Sequence, residues 1–208
     1  MSEPYTLLLR LEGPMQSWGY RSRFDYRDTA LEPTRSGVIG LICAAMGIAR
    51  GEDISRFDAI RMGVRVDKKG RLERDYHTAL NVIKADGSPN GTVVSYRDYL
   101  ADASFTVGLQ SENKDLLEEI AEALRDPRWI LFLGRKAFPL AVPPLGPADR
   151  PKAGTLEDHL LPSQSNKRVV LETPDGERTQ HDWPLCFRER QFKPRSVRTC
   201  FEGKGVAE

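Results

Sequence analysis

The chain has 208 residues, of which 39% are hydrophobic, so it can bury one large core or one domain with an appendage. Lys and Arg number 31 against 30 Asp and Glu, and the resulting net charge of +1 is low for a free-standing nucleic-acid binder. No apolar run is long enough to cross a membrane, and no secretory signal precedes the first predicted strand. The three scattered cysteines predict no disulfide framework, which suits a reducing cytoplasm.

Charge is unevenly distributed along this nearly neutral chain. Acidic residues cluster over 115–122, and the stretch 188–198 is basic. One anionic and one cationic side would suit a subunit that binds protein with one face and nucleic acid with the other. An ordinary solvated surface explains the same pattern, so charge alone does not decide.

The first elements in chain order are a strand over residues 5–11 and a helix that follows Pro33-Thr34-Arg35-Ser36-Gly37. Residues 38–46 are apolar on almost every face of that helix, which predicts that it is buried. A charge placed there, as in Ile42→Asp, is therefore expected to unfold the chain. Gly47 favours the left-handed conformation that ends helices.

The N-terminus of this helix is the first candidate binding site. Its unpaired N–H groups and the helix dipole attract phosphate, and the loop Met15-Gln16-Ser17-Trp18 is predicted to face it. Arg35 and Ser36 would then contact the phosphate. Because Arg35 precedes the apolar run, its side chain is expected outside the core, and Arg35→Glu is expected to leave the fold intact.

The middle of the chain reads as strands. Alternating apolar and basic residues over 60–66 predict one strand, and residues 72–78 are predicted to return beside it. Residues 81–99 form a long predicted hairpin with Asp-Gly and Asn-Gly turn signals between 86 and 91. This hairpin has few apolar residues to bury, so it is predicted to project from the body.

The pattern then closes with a strand over 103–108, a helix capped by Asn113, and an apolar strand over 129–133. Without the hairpin the order is β-α-β-β-α-β, so the predicted fold class is α+β and ferredoxin-like. The buried stripe of the second helix is predicted at Leu116, Leu117, Ile120 and Leu124. Beyond Leu133 prolines interrupt the pattern, and a further hairpin is predicted only near 168–176.

The adjacent Tyr76 and His77 are the one candidate catalytic pair. Histidine and tyrosine can serve as base and acid in metal-free RNA cleavage when a cation steadies the phosphorane. A pair of this kind more often packs or contacts a ligand, so binding is the preferred interpretation. The histidines are spaced too widely for a zinc site, and no phosphate-loop motif is present, so no metal or cofactor is predicted.

Further binding residues are predicted at one strand end and on the return strand of the hairpin. Arg135 and Lys136 directly follow the predicted strand over 129–133, where two cations would clamp a phosphate; a solvated turn is the competing interpretation. Tyr96, Arg97 and Tyr99 lie on the return strand of the hairpin. Such side chains can stack against bases, although plain hairpin packing is the alternative.

Three of these stretches, in this order and spacing, resemble the CasD family of the type I-E CRISPR surveillance complex, Cascade. They are residues 9–19 (LRLEGPMQSWG), 33–41 (PTRSGVIGL) and 133–140 (LGRKAFPL). The resemblance covers roughly the first 145 residues. Arg195-Ser196-Val197-Arg198 is similar to the family's C-terminal basic segment more loosely.

The resemblance implies an RNA-recognition-like ferredoxin domain over 1–145, with a β-hairpin thumb inserted at about 79–101. An irregular C-terminal extension over 146–208 would pack on or beside it. Such a subunit grips the 5′ handle of the CRISPR RNA in a hetero-oligomeric complex, beside a CasC-like backbone subunit and a CasA-like large subunit. The residues above would then contact RNA: Met15, Gln16, Ser17, Trp18, Arg35, Ser36, Tyr76, His77, Arg97, Arg135 and Lys136.

A non-catalytic role in antiviral defence is the preferred prediction. In a related branch, the type I-C systems, the subunit cuts precursor RNA with a tyrosine, histidine and lysine cluster, but no lysine adjoins Tyr76 and His77 in this sequence. A metal-independent endoribonuclease is the first alternative. A protein-interaction module without RNA contact is the second.

Overall fold

A computed structural model describes residues 3–19, 25–83, 86–88, 91–161 and 167–201. It is a mixed α+β fold in which strands outnumber helices. None of the helices in these ranges has the length and apolarity that a membrane span requires. The helices are α1 (Arg35–Met46), α2 (Lys114–Arg125) and α3 (Leu156–Leu160), with a 3₁₀ helix at Ser55–Ala59.

The described ranges contain eleven strands in two sheets. They are β1 (Tyr5–Glu12), β2 (Met15–Gln16), β3 (Tyr26–Arg27), β4 (Arg61–Lys68), β5 (Arg71–Ala79), β6 (Val93–Ala101), β7 (Ser104–Ser111), β8 (Lys152–Ala153), β9 (Arg168–Glu172), β10 (Arg178–Cys186) and β11 (Gln191–Phe201). The large sheet has the order β10-β11-β9-β4-β7-β1-β8, and every neighbouring pair is antiparallel. The small sheet joins β2, β3 and β5 to β6.

Side chains alternate along each strand of the large sheet, so both faces contribute buried residues. On one face Leu7, Leu9 and Val107 join the main core beneath α1 and α2. On the other face α3 packs closely against Gly63 and Gly108, where an added Cβ would lie 2.7 Å from a leucine of that helix. Short helix α3 covers only part of this second face, so the remainder stays open.

The two long helices match their predicted boundaries and caps. The Thr34 hydroxyl accepts a hydrogen bond from the Gly37 N–H at the start of α1, and Gly47 ends that helix with φ 74°. The Asn113 side chain accepts from the Leu116 N–H at the start of α2. The predicted apolar stripe of α2 is buried, as is α1 at Ile42.

The prediction of a strand over 129–133 is wrong. Trp129 and Ile130 are exposed, because the Arg128 and Trp129 N–H groups bind carbonyls at the end of α1 instead of a strand. Leu133 is buried in a compact turn in which its N–H binds the Phe138 carbonyl. The sheet edge beside β1 is taken by two-residue β8 instead.

The predicted partner of the strand over 60–66 is also wrong. Strand β4 pairs with β7 and β9, whereas β5 pairs with β6 from Arg71↔Ala101 to Ala79↔Val93. The thumb is therefore longer than predicted and begins at Arg71, not near residue 79. Most of β5 is exposed along its length, which suits a projecting hairpin. Positions 84, 85, 89 and 90 of its predicted tip lie outside the described residues.

The C-terminal part is more regular than predicted. Strands β9, β10 and β11 continue the large sheet through the β9–β4 pairing. The turn at 173–176 does connect β9 and β10, but these strands are not neighbours, because β11 lies between them. The predicted hairpin is thus replaced by a three-strand unit, and the described residues beyond 146 contribute to the core of the molecule.

Candidate functional site: a basic cleft

A cleft of about 830 Å³ lies where the start of α1, the loop after β2 and the turn between β10 and β11 meet. We call it the basic cleft. Sequence positions more than 150 residues apart converge there. Its lining consists of Ser17, Trp18, Gly19, Arg27, Asp28, Thr34, Ser36, Gly37, Arg50, Gly134, Arg135, His181, Phe187, Arg190 and Phe192.

The charge of the basic cleft is strongly positive. Four arginines line it, at 27, 50, 135 and 190, against the single carboxylate of Asp28. This concentration contrasts with the net charge of +1 for the whole chain. Cationic walls around a cleft focus the electrostatic potential and attract polyanions. The arrangement is suited to binding phosphate groups.

Arg135 is placed in the cleft by the glycine before it. Gly134 has φ 88°, and a Cβ at that position would lie 1.7 Å from the Ser17 carbonyl oxygen. The Ser17 N–H in turn donates to the Leu133 carbonyl. Only glycine allows the two backbones to approach this closely, so the turn at 133–138 is fixed against the loop that follows β2.

The Arg135 guanidinium is half-buried and held by backbone oxygens. It donates to the Asp98 carbonyl at 2.8 Å and to the Arg27 carbonyl at 3.4 Å. Burial lowers the pKa of Arg135, and the nearby charges of Arg97 and Arg27 lower it further. The charges of Asp75 and Asp98 act on this pKa in the opposite direction, and an incoming polyanion would add to their effect.

Two of the predicted RNA contacts, Gln16 and Trp18, have buried side chains. Gln16 donates to the Ala103 carbonyl at 2.8 Å and accepts from the Trp18 indole N–H at 3.2 Å. The Trp18 ring lies under α1, where a Cβ on Gly37 would be 2.7 Å from it. These side chains support the loop rather than reach a ligand. Met15 pairs with Ala101 in the small sheet and does not line the cleft.

Arg35 is not outside the core, and that expectation is wrong. Its side chain is 1% exposed; it donates to the Phe57 and Ile60 carbonyls and pairs with Glu172 at 3.1 Å. The guanidinium also stacks on the Trp183 ring at 3.7 Å. In this arrangement Arg35 cannot contact a phosphate in the cleft.

The phosphate site predicted at the start of α1 is already partly filled by the protein itself. The Arg35 N–H donates to the buried carboxylate of Asp182 at 2.7 Å, and the Gly37 N–H is capped by Thr34. Arg195 pairs with the same Asp182 at 2.6 Å. Ser36 is the predicted residue at this helix start that remains in the lining of the basic cleft.

The predicted thumb residues lie outside the cleft lining. Tyr76 and His77 are adjacent on β5, so their side chains point to opposite faces of the hairpin. Tyr76 packs edge-on against Tyr96, whereas Arg97 lies in register with Asp75 on the other face. Lys136, another predicted RNA contact, does not belong to the thumb; it is exposed in the turn after Arg135 and does not line the cleft. The alternation separates the two members of the proposed catalytic pair.

The base of the thumb is tied to the basic cleft through Asp98. Its carboxylate accepts hydrogen bonds from Arg74 at 2.6 Å and from the Tyr26 hydroxyl at 2.5 Å. The hydrogen bond from Arg74 lowers the pKa of Asp98. Its backbone carbonyl accepts from Arg135 and from the Ser17 hydroxyl. One residue thus connects the thumb with the loop and the turn that form the cleft.

Several cleft residues were not singled out from the sequence as binding residues. Arg27, Arg50 and His181 carry no motif, and Phe187 and Phe192 lie in a region expected to be irregular. Arg190 belongs to the basic stretch over 188–198, which the charge pattern did identify. Within that stretch the pattern does not separate Arg190, in the cleft, from Arg195, which is buried.

Comparison with known proteins assigns the chain to a protein family. The family described as CRISPR-associated protein (Cas_Cas5) matches residues 6–198. Because that match covers almost the whole chain, the protein belongs to this family of CRISPR-associated proteins.

Individual relatives point to one branch of that family. The chain is 37% identical over 153 residues to the CRISPR system Cascade subunit CasD of Escherichia coli (strain K12), covering 66% of this chain and 68% of the relative. A chain of a solved CRISPR RNA-guided surveillance complex is 32% identical with a TM-score of 0.79, covering 95% of this chain and 90% of its own. A solved Cas protein is 41% identical with a TM-score of 0.76 and 94% coverage of both chains. The resemblance to CasD is confirmed.

Proposed function

We propose that this protein is a non-catalytic subunit of a Cascade-type complex and holds the 5′ handle of the CRISPR RNA in the basic cleft. The observation that carries the proposal is the convergence of Arg27, Arg50, Arg135 and Arg190 on one cleft beside Ser17 and Ser36. Arginines that face a backbone of phosphates supply most of the affinity for nucleic acid.

The lining of the cleft also suits single-stranded RNA in particular. Phe187, Phe192 and His181 provide rings beside the arginines. Single-stranded bases stack on aromatic side chains and guanidinium planes, while their edges form hydrogen bonds. The thumb, joined to the cleft through Asp98, would cover the RNA as it leaves the cleft.

The strand order supports the interpretation of this fold as a variant of the ferredoxin-like plan. Strands β4, β7, β1 and β8 lie side by side and antiparallel, which is the second-third-first-fourth order of that plan. Helices α1 and α2 follow the first and third of these strands on one face of the sheet. The fourth strand is reduced to Lys152–Ala153, and the thumb is inserted between the second and third strands.

The assembly partners that we propose are a CasC-like backbone subunit and a CasA-like large subunit, in the cytoplasm. Support comes from the named relatives, one a Cascade subunit and one a chain of a surveillance complex. A subunit enclosed by protein neighbours needs no large net positive charge, provided that its cations are concentrated where the RNA lies.

The nuclease alternative is tested separately from binding. Because Tyr76 and His77 point to opposite faces of β5, we expect purified protein to leave repeat RNA intact in EDTA on a denaturing gel. His77→Ala is then expected to have no effect on guide maturation. Cleavage by wild-type protein that is lost in His77→Ala would replace the proposed function with a metal-independent endoribonuclease.

Guide RNA content of the purified complex tests the proposed function itself. Arg190→Glu reverses a cation of the cleft on an exposed turn, and we expect guide RNA per complex to fall about tenfold, as for the loss of one or two charged contacts. Lys69→Glu makes the same charge change on an exposed residue outside the cleft. Equal RNA content in both variants would contradict a role for the basic cleft.

A further inference from the structure

A second cleft, of about 690 Å³, lies on the open part of the sheet face that carries α3. We call it the sheet-face cleft. Strands β1, β4 and β7 form its floor, and the proline-rich segment 142–150 forms one wall. Its volume falls within the range typical of binding pockets. The function proposed above does not use it.

Cations outnumber acids in the sheet-face cleft. Arg10, Arg65, Arg150 and Lys152 line it, together with Asp67 and Asp149. Two of the cations are already neutralised, because Arg65 pairs with Asp67 at 2.9 Å and Arg10 pairs with Glu12 at 2.6 Å. The Asp149 carboxylate accepts a hydrogen bond from the Gly146 N–H and keeps its charge. Arg150 and Lys152 therefore stand against this one carboxylate, which leaves a net charge of +1 at the rim for a ligand.

Those two rim cations have no acidic partner within the described ranges. The Arg150 guanidinium donates to the backbone carbonyls of Pro147 and Asp149, at 2.9 and 2.8 Å. The exposed Lys152 ammonium makes no hydrogen bond or ion pair to any residue that the structure describes. Both charges face solvent beside the cleft and are available to a carboxylate or a phosphate.

The apolar part of the lining distinguishes between those two kinds of anion. It is formed by aliphatic side chains and prolines, among them Leu8, Val142 and Pro144, and none of the described residues in the lining is aromatic. The basic cleft, in contrast, contains the rings of Phe187 and Phe192. Nucleobases are held by stacking on rings, whereas an aliphatic floor buries the aliphatic side chain of a polypeptide.

We infer that the sheet-face cleft docks an acidic segment of a neighbouring protein subunit. An aliphatic side chain of that segment would rest on Leu8 and Val142, and its carboxylates would pair with Arg150 and Lys152. The protein would then bind RNA in one cationic cleft and a protein subunit in another, and the presence or absence of aromatic rings would separate the two ligands. The inference rests on the proposed function, since it requires assembly with other subunits.

Site-specific crosslinking in the purified RNA-guided complex tests the occupant of the cleft. With p-benzoylphenylalanine in place of Val142, we expect a crosslink that survives ribonuclease and maps to an Asp- or Glu-containing segment of another subunit. The same probe at Lys69, exposed and outside both clefts, serves as the control. A ribonuclease-sensitive crosslink, a peptide without acids, or no product above the Lys69 control would overturn the inference.

Charge reversal gives a second readout. Lys152→Glu is expected to lower retention of this subunit in the complex about fivefold at moderate salt, which corresponds to one lost ion pair. The matched variant Lys69→Glu should retain the subunit fully, and equal retention of the two would contradict the inference. Binding of repeat-derived RNA by the isolated Lys152→Glu protein should stay unchanged.

RNA measurements on the same samples distinguish a failure of this inference from a failure of the proposed function. A normal content of guide RNA without the expected crosslink would contradict the docking of an acidic segment, but it would not contradict the proposed RNA-binding role. A wild-type chain that purifies without RNA and without other subunits would contradict the proposed function, and the inference with it.

Discussion

At the scale of single residues, Gly134 fixes the turn that carries Arg135 against the loop that follows β2, and so positions one wall of the basic cleft. Its φ is 88°, and an added Cβ would lie only 1.7 Å from the Ser17 carbonyl oxygen, so no side chain fits there. We expect Gly134→Ala to lower the free energy of unfolding by about 2–4 kcal/mol, because both strain and a backbone clash must be relieved. Chemical denaturation of the purified variant measures this.

Gly87 provides the matched control for that substitution. It has φ 82°, close to that of Gly134, but a Cβ there would meet nothing within 4 Å. Gly87→Ala should therefore cost only the conformational term, about 1 kcal/mol. Equal losses for the two variants would show that the close approach to Ser17 does not matter.

Asp98 joins the thumb to the cleft, and its ionisation gives that connection a pH dependence. A carboxyl group whose pKa is lowered on folding stabilises the protein above its ordinary value and loses that effect as the pH falls through the lowered value. Asp98→Asn should thus cost about 1–2 kcal/mol at pH 7, and the deficit should shrink below pH 3.8, the ordinary aspartate value.

Denaturant melts of wild type and variant across pH 7 to 3 measure that difference. Asp102→Asn is the control, since its carboxylate makes only an exposed pair with Arg71. A deficit for Asp98→Asn that stays constant over this range would mean that the charge of Asp98 does not stabilise the thumb.

The two arginines in the predicted motifs show what a local pattern can and cannot predict. Arg135 follows a glycine at a turn, and the expectation that it lies at a phosphate-accessible position agrees with its place in the cleft. Arg35 begins a helix and was expected at the same kind of position, but Asp182 and Glu172 of the C-terminal strands hold it in the interior. No local signal in the sequence predicts partners 137 or more residues away.

At the scale of elements, the C-terminal strands complete the body of the protein. Strand β9 places Val169, Val170 and Leu171 in buried positions beside β4. Asp182 on β10 and Glu172 on β9 neutralise Arg35 and the Arg195 of β11 in the interior. Removing one partner from a buried ionic group costs about 3–5 kcal/mol, so these strands contribute much of the stability.

A chain that ends at residue 161 is therefore expected not to fold. It would lose the pairing partner of β4 and leave Arg35 uncompensated in the interior. Circular dichroism during thermal unfolding should show no cooperative transition, whereas full-length Asp182→Ala should melt cooperatively at a lower temperature. A cooperative melt of the truncated chain would favour the predicted division into a domain over 1–145 and an appendage.

Elements with strong local signals were predicted well, and those decided by pairing were not. The apolar periodicity and caps of α1 and α2 specify their boundaries without reference to the rest of the chain. The apolar run over 129–133 carries the same local signal as a strand, yet its first N–H, that of Trp129, binds a carbonyl at the end of α1. Likewise, β5 had two adjacent strands available, and only the tertiary fold selects β6 over β4.

At the scale of the whole molecule, the net charge is close to zero although the cationic and anionic side chains are unevenly distributed. Arg35 and Arg195 are paired with acids in the interior, and Arg65 is paired with Asp67, so these three cations contribute little to the surface potential. Four other arginines line the basic cleft, and Arg10 and Arg150 line the sheet-face cleft together with Arg65. A net charge of +1 is therefore compatible with a subunit that binds RNA locally.

The salt dependence of RNA binding tests the central claim most directly, because its slope counts the phosphates that the protein neutralises. With a repeat-derived 5′-handle RNA, Arg135→Gln/Arg190→Gln should reduce the slope of log Kd against log salt by about 1.4, at roughly 0.7 per contact. Lys69→Gln/Lys152→Gln removes as many charges outside the basic cleft and should leave the slope unchanged. Equal slopes for wild type and the arginine variant would contradict RNA binding in this cleft.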